Sequence, residues 1–108
     1  MAEIRVGEVL RFLKQRVHES RLAQARVLVF GSYARGRATP DSDMDVAIIS
    51  PDFKGKDIFE RARMTREIEF EAMREFQLPF DFVTLTPEEF EGESMIGDYI
   101  RSDKVLIA

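Results

Sequence analysis

Two aspartates one residue apart, Asp43 and Asp45, open the apolar run Met44-Asp45-Val46-Ala47-Ile48-Ile49. Successive side chains of an extended segment point to opposite faces, so the two carboxylates share one face, with Cα atoms about 6.5 Å apart, and Met44 takes the other. At that spacing they can converge on one or two hard cations such as Mg²⁺, which accept oxygens from a few carboxylates and from substrate phosphates. A bare pair of this kind is more commonly solvated surface, in keeping with Asp41 beside it. Asp81 shifts that balance. It stands between Phe80 and Phe82 in Phe80-Asp81-Phe82-Val83-Thr84-Leu85, where a charge inside a buried strand is costly without a partner. A cation shared with Asp43 and Asp45 is such a partner, and three carboxylates at one end of a sheet suit a two-metal site that clamps the attacking and leaving oxygens of a phosphoryl transfer.

The segment before the pair, Gly31-Ser32-Tyr33-Ala34-Arg35-Gly36-Arg37, supplies the rest of such a site. Gly31 allows close approach to the backbone, amides at a strand-to-helix junction favour an anion, and Ser32 can donate a hydroxyl hydrogen bond. Arg35 and Arg37 lie within reach of phosphate charge, although Arg37 reads equally well as a solvated loop residue. Two other phosphate and metal loops are excluded. Gly31 and Gly36 have Walker A spacing, but Arg37 and Ala38 stand where that loop needs Lys and Ser or Thr. Asp41-Ser42-Asp43-Met44-Asp45 begins like an EF-hand, but Val46 occupies the position of the turn glycine and no closing Glu follows.

These residues need elements to hold them. Val6, Leu10, Leu13 and Val17, with Val9 and Phe12 alongside, predict an amphipathic helix within residues 3–23. Arg26 to Phe30 reads as a strand, Tyr33 to Arg35 as the start of a short helix, Thr39 to Ser42 as a turn, and Met44 to Ile49 as a second strand. Ser50 to Gly55 reads as a loop. Ile58, Ala62, Thr65, Ile68, Ala72 and Phe76 keep helical spacing from Asp57 onward. Pro79 to Leu85 forms a third strand, and Thr86-Pro87-Glu88-Glu89 carries the N-cap, first-turn proline and capping-box glutamate of a further helix or turn. The tail from Met95 ends in Val105-Leu106-Ile107, a short edge strand or an interface. Alternation of strands and helices predicts an α/β (α+β) fold, a single mixed sheet flanked by helices.

The 108 residues are read as one domain, 1–108. No apolar stretch has the length of a membrane span and the first dozen residues lack a signal-type apolar core, so a cytoplasmic location is expected. The absence of cysteine excludes disulfides and thiolate metal sites, and the formal net charge of −4 argues against direct nucleic-acid binding. His18 reads as a surface residue. Tyr33 and Tyr99 read as packing residues, and Phe59, Phe70, Phe76 and Phe90 as core rather than as a base-stacking platform.

Gly31-Ser32, ten intervening residues, Asp43-Met44-Asp45 and a later Asp81 together resemble the polymerase-beta-type nucleotidyltransferase superfamily, and the GSYARG segment is most similar to its minimal branch, MNT. The resemblance runs from about Val27 to Leu85. It implies the nucleotidyltransferase fold and Mg²⁺-dependent transfer of a nucleoside monophosphate, AMP from ATP, to an acceptor hydroxyl with loss of pyrophosphate. In its terms Asp43 and Asp45 hold one or two metal ions. Asp81 is the third metal-binding carboxylate and takes the acceptor proton. Gly31 and Ser32 hold the triphosphate, and Arg35 matches the arginine of the motif. Larger relatives carry an additional acceptor-binding domain, so the resemblance implies a partner or a second copy: in the minimal branch a HEPN-type RNase toxin encoded nearby, sometimes adenylylated on tyrosine, for which the nucleotidyltransferase is the antitoxin. Two other functions stay open at this point: neutralisation of a toxin by binding without chemistry, and a stand-alone enzyme acting on a small hydroxyl compound.

Overall fold

The computed structural model describes residues 6–92, 94–102 and 106–107. Helix α1, Val6–Glu19, turns Val9, Leu10, Leu13 and Val17 inward, the face its periodicity predicts. It ends before residue 23: Ser20 donates its hydroxyl to the Val17 carbonyl at 2.7 Å, and Arg21 takes a positive φ of 66°. Residues 3–5 lie outside the described residues. Strand β1 is Arg26–Phe30 and β2 is Met44–Ile49, paired antiparallel with Phe30 opposite Asp45. Between them α2, Gly31–Ala34, starts two residues earlier than its sequence suggests. The loop after β2 contains a single 3₁₀ turn, Pro51–Phe53, which buries Phe53.

Helix α3, Ile58–Phe76, opens with a capping box in which Asp57 accepts from the Glu60 amide at 2.8 Å and Glu60 from the Asp57 amide at 3.3 Å. Its end is set by Gln77 in the left-handed conformation. The crossover lays β3, Phe80–Leu85, parallel to β2 with Asp81 opposite Asp45. Thr86 and Glu89 form the second capping box at the start of α4, Pro87–Glu91. Then come α5, Met95–Ser102, and β4, Leu106–Ile107, which pairs antiparallel with β1. The tail therefore does supply an edge strand, while Val105 lies outside the described residues. The mixed sheet has the order β3-β2-β1-β4. No helix among the described residues is long and apolar enough to cross a membrane.

Strand alternation divides the core in two. Val27, Val29, Met44, Val46 and Ile48 face α1 and α3, where they meet Leu13, Val17 and Ile68. Leu28, Phe30, Ala47, Ile49 and Leu85 face the other way, against Phe90 of α4 and Ile100 of α5. Each large aliphatic or aromatic side chain fully buried in these layers contributes about 1.5–3 kcal/mol relative to exposure. Two phenylalanines expected in the core are outside it: Phe59 and Phe70 are 68% and 62% exposed on the outer face of α3, whereas Phe90 is buried and Phe76 packs edge-on to Phe12 at 5.3 Å. The helix carries apolar residues on two sides, Ile68 and Ala72 inward, beside the buried Thr65, and Phe59, Phe70 and Met73 outward.

Candidate active site

By strand parity Asp43, Asp45 and Asp81 belong to the face shared by Ala47, Ile49 and Leu85, at the end of the sheet where β2 and β3 begin. Asp45 and Asp81 are direct neighbours in the parallel ladder, about 4.8 Å apart at Cα. Asp45 is half-buried, but Asp43 and Asp81 are exposed. The exposure of Asp81 corrects the expectation of a carboxylate trapped inside a buried strand: it is the second residue of β3, where the layer above the sheet has already ended. Its ladder neighbour is Asp45, a like charge rather than a compensating one.

The three carboxylates share one electrostatic field. Burial pushes Asp45 above the usual carboxylate range, the charges of Asp81 and Asp43 push it further, and the Arg35 guanidinium partly opposes them. Among the described residues no three acidic, histidine or cysteine side chains close into a ready-made metal cage. The donor set nevertheless fits a hard divalent cation. Mg²⁺ keeps much of its shell for water and substrate phosphate and needs only one or two carboxylates from the protein; crowded like charges are what such an ion neutralises.

Gly31 is built into this arrangement. It has φ of +73°, and a β-carbon there would overlap Asp45 Oδ2 and lie 3.2 Å from Asp45 Cγ. The space that the glycine leaves is thus taken first by the Asp45 carboxylate, a closer reason for its lack of a side chain than approach of a phosphate. Ser32 follows, half-exposed, on a turn closed by Arg35 N–H to Gly31 carbonyl at 3.1 Å and Arg37 N–H to Ser32 carbonyl at 2.8 Å. The residue that caps α2, Phe30, offers no side-chain acceptor. Arg35 is exposed beside Asp45.

One neighbour of the site is not evident from the sequence. Tyr99 of α5 lies edge-on to Phe30, with ring centroids 6.3 Å apart, and Phe30 is the ladder partner of Asp45. Tyr99 does pack, but it is half-exposed; Tyr33 packs against the core, and His18 is exposed as expected. The amphipathic spacing of Ile96, Tyr99 and Ile100 is the signal that could have placed α5 over this face. Among the described residues, grooves of about 440 Å³ between α1 and α3 and about 480 Å³ on the outer face of α3 lie elsewhere, and neither is lined by the aspartates.

A small mixed sheet, two helices on one face, and paired aspartates at the start of β2 beside a Gly-Ser turn define the nucleotidyltransferase class of fold. Three solved structures share it. One, from Sulfolobus solfataricus and assigned by inference as a nucleotidyltransferase, is 22% identical over 99% of this chain and 89% of that one, with TM-score 0.54. Another with the same kind of assignment is 26% identical over 95% and 96%, with TM-score 0.53. The third, a toxin–antitoxin structure with AMP-PNP, is 15% identical over 90% of this chain and 69% of that one, with TM-score 0.59. No curated protein matches the chain. The nucleotidyltransferase domain family matches residues 6–106, and the chain belongs to that family.

Proposed function

We propose that this chain is a Mg²⁺-dependent nucleotidyltransferase of the MNT type that moves AMP from ATP onto a tyrosine hydroxyl of a HEPN-type RNase toxin and so acts as its antitoxin. The observation that carries the reading is the convergence of Asp43, Asp45 and Asp81 on one sheet end, with the Asp45 charge held at a cost beside Gly31. The toxin–antitoxin neighbour with AMP-PNP supports the partner and the nucleotide.

Asp43 and Asp45 would hold the metal, with Asp81 as a further ligand. When bound, the metal neutralises the triphosphate and draws charge from the leaving oxygen. The Gly31-Ser32 turn positions the phosphates and Arg35 adds positive charge beside them. Asp81, exposed at the rim, accepts the proton as the acceptor oxygen bonds to the α-phosphorus; the α–β bridging bond breaks and pyrophosphate leaves with its electrons. The exposure of Asp43 and Asp81 suits an acceptor side chain carried on another protein.

In cells expressing the toxin, the expected result is that the wild-type chain restores growth and that the double variant Asp43→Asn/Asp45→Asn, at equal abundance, does not. Growth restored by the double variant would instead make the protein a neutraliser that works by contact. Turnover on a small hydroxyl compound in the absence of any protein partner would favour a stand-alone enzyme.

A further inference from the structure

The outer face of α3 has no cover among the described residues, although it carries Phe59, Phe70 and Met73 at 68%, 62% and 50% exposure. With Ala62, Arg63, Arg66 and Glu69 these residues line one groove of about 480 Å³ along the helix. Their angular spread is narrow, centred on Arg66, as a seam for another helix requires. The order of residues along that seam is self-complementary. For an antiparallel copy of the same helix crossing at Arg66, residues equidistant from the centre meet: Phe59 with Met73, and the small Ala62 with the large Phe70. Glu69 of one copy comes level with Arg63 of the other and one turn from its Arg66. Arg63 and Arg66 have no ion-pair partner among the described residues. Such two-fold matching of one patch to itself is the property of an isologous interface.

The geometry points to a second copy of this chain as the occupant of the groove, in a two-fold dimer built on antiparallel packing of α3 against α3. Like charges meet at the axis, where the two Arg66 side chains approach each other, and the Glu69 carboxylates one turn to either side offset them. Two copies of the stripe would bury on the order of 1,000 Å² in total, the lower end for a specific interface, so a reversible dimer is the expected strength. The dimer would leave the aspartates free, because α3 covers the sheet face opposite to the one on which Asp43, Asp45 and Asp81 lie. An acceptor protein at the aspartates and a second copy on α3 do not compete.

Sedimentation velocity of the purified 108-residue chain at about 100 µM tests this. The expected result is a species of twice the 12.5 kDa chain mass. Arg63→Glu and Glu69→Arg should each weaken the dimer about tenfold or more, and the two together in one chain should restore it, since each copy then presents the exchanged pair to the other. Glu69 accepts a hydrogen bond from Thr65 at 2.6 Å, but the Thr65 hydroxyl retains the Arg61 carbonyl at 3.2 Å, and Phe70→Ser provides a second disruption on a side chain outside the core. A wild-type monomer at that concentration, or a dimer indifferent to all of these variants, overturns the proposal. So does loss of toxin binding in the single variants without rescue by the double exchange, which would assign the face to the toxin.

Discussion

Asp45 and Gly31 form a coupled pair. The carboxylate occupies the space where a Gly31 β-carbon would be, and it is held above the ordinary carboxylate range by burial and by Asp81 and Asp43. An acid whose proton is bound more tightly in the folded state makes stability fall as pH rises above its unfolded value, so the ionised Asp45 costs stability at neutral pH. Asp45→Asn, isosteric and uncharged, should therefore match or exceed the wild-type melting temperature at pH 7 while losing transfer activity. Mg²⁺ with ATP should raise the wild-type melting temperature and leave the variant unmoved; thermal unfolding with and without Mg²⁺–ATP reads both effects. Gly31→Ala should go the other way and destabilise the protein by about 1–2 kcal/mol from the left-handed backbone alone, with activity lost through displacement of Asp45. Equilibrium urea unfolding checks that value. The types and spacing of these residues are legible in the sequence, but their mutual contact is not: it depends on β1 and β2 pairing so that Phe30 opposes Asp45. The exposure of Asp81 is equally hidden, because its apolar neighbours do not reveal where along β3 the covering layer stops.

At the scale of elements, most boundaries follow from local chemistry. Two capping boxes start α3 and α4: Thr86 with Glu89 is read from its residue types, while Asp57 with Glu60 sits where helical spacing begins. What they do not reveal is that Glu89 also receives Arg61 of α3 at 2.7 Å, fastening the crossover helix to the end of β3, where Arg61 reaches the Thr84 carbonyl as well. Burial of Glu89 alone would raise its pKa, but its hydrogen bonds from Thr86 and Arg61 prevail and hold it below the usual range. A lowered acid contributes stability that is present above its unfolded value and lost as pH falls through its folded one. Glu89→Gln should cost about 1 kcal/mol at pH 7, in the range of a capping interaction, and the difference from wild type should shrink below about pH 4.5, measured by urea unfolding across pH. The start of α2 is not legible because Gly31-Ser32 ends a strand as readily as it begins a helix.

Over the whole molecule, the sheet separates two surfaces: the aspartates and α5 on one side, the bare stripe of α3 on the other. Helical periodicity places apolar residues on a face without saying whether the chain itself covers that face, so Phe59 and Phe70 resemble core residues by spacing, while Ile68 and Ala72 are core in fact. The family match spans the sheet and its aspartates, and in the proposed function the acceptor is carried by the protein that docks there. The central claim is therefore best tested by intact-mass spectrometry of the protein encoded by the adjacent reading frame, incubated with this chain, ATP and Mg²⁺, in parallel with Asp43→Asn/Asp45→Asn. The account predicts a gain of one or more AMP units with the wild type and none with the double variant. A partner that binds yet keeps its mass with every nucleoside triphosphate would contradict it.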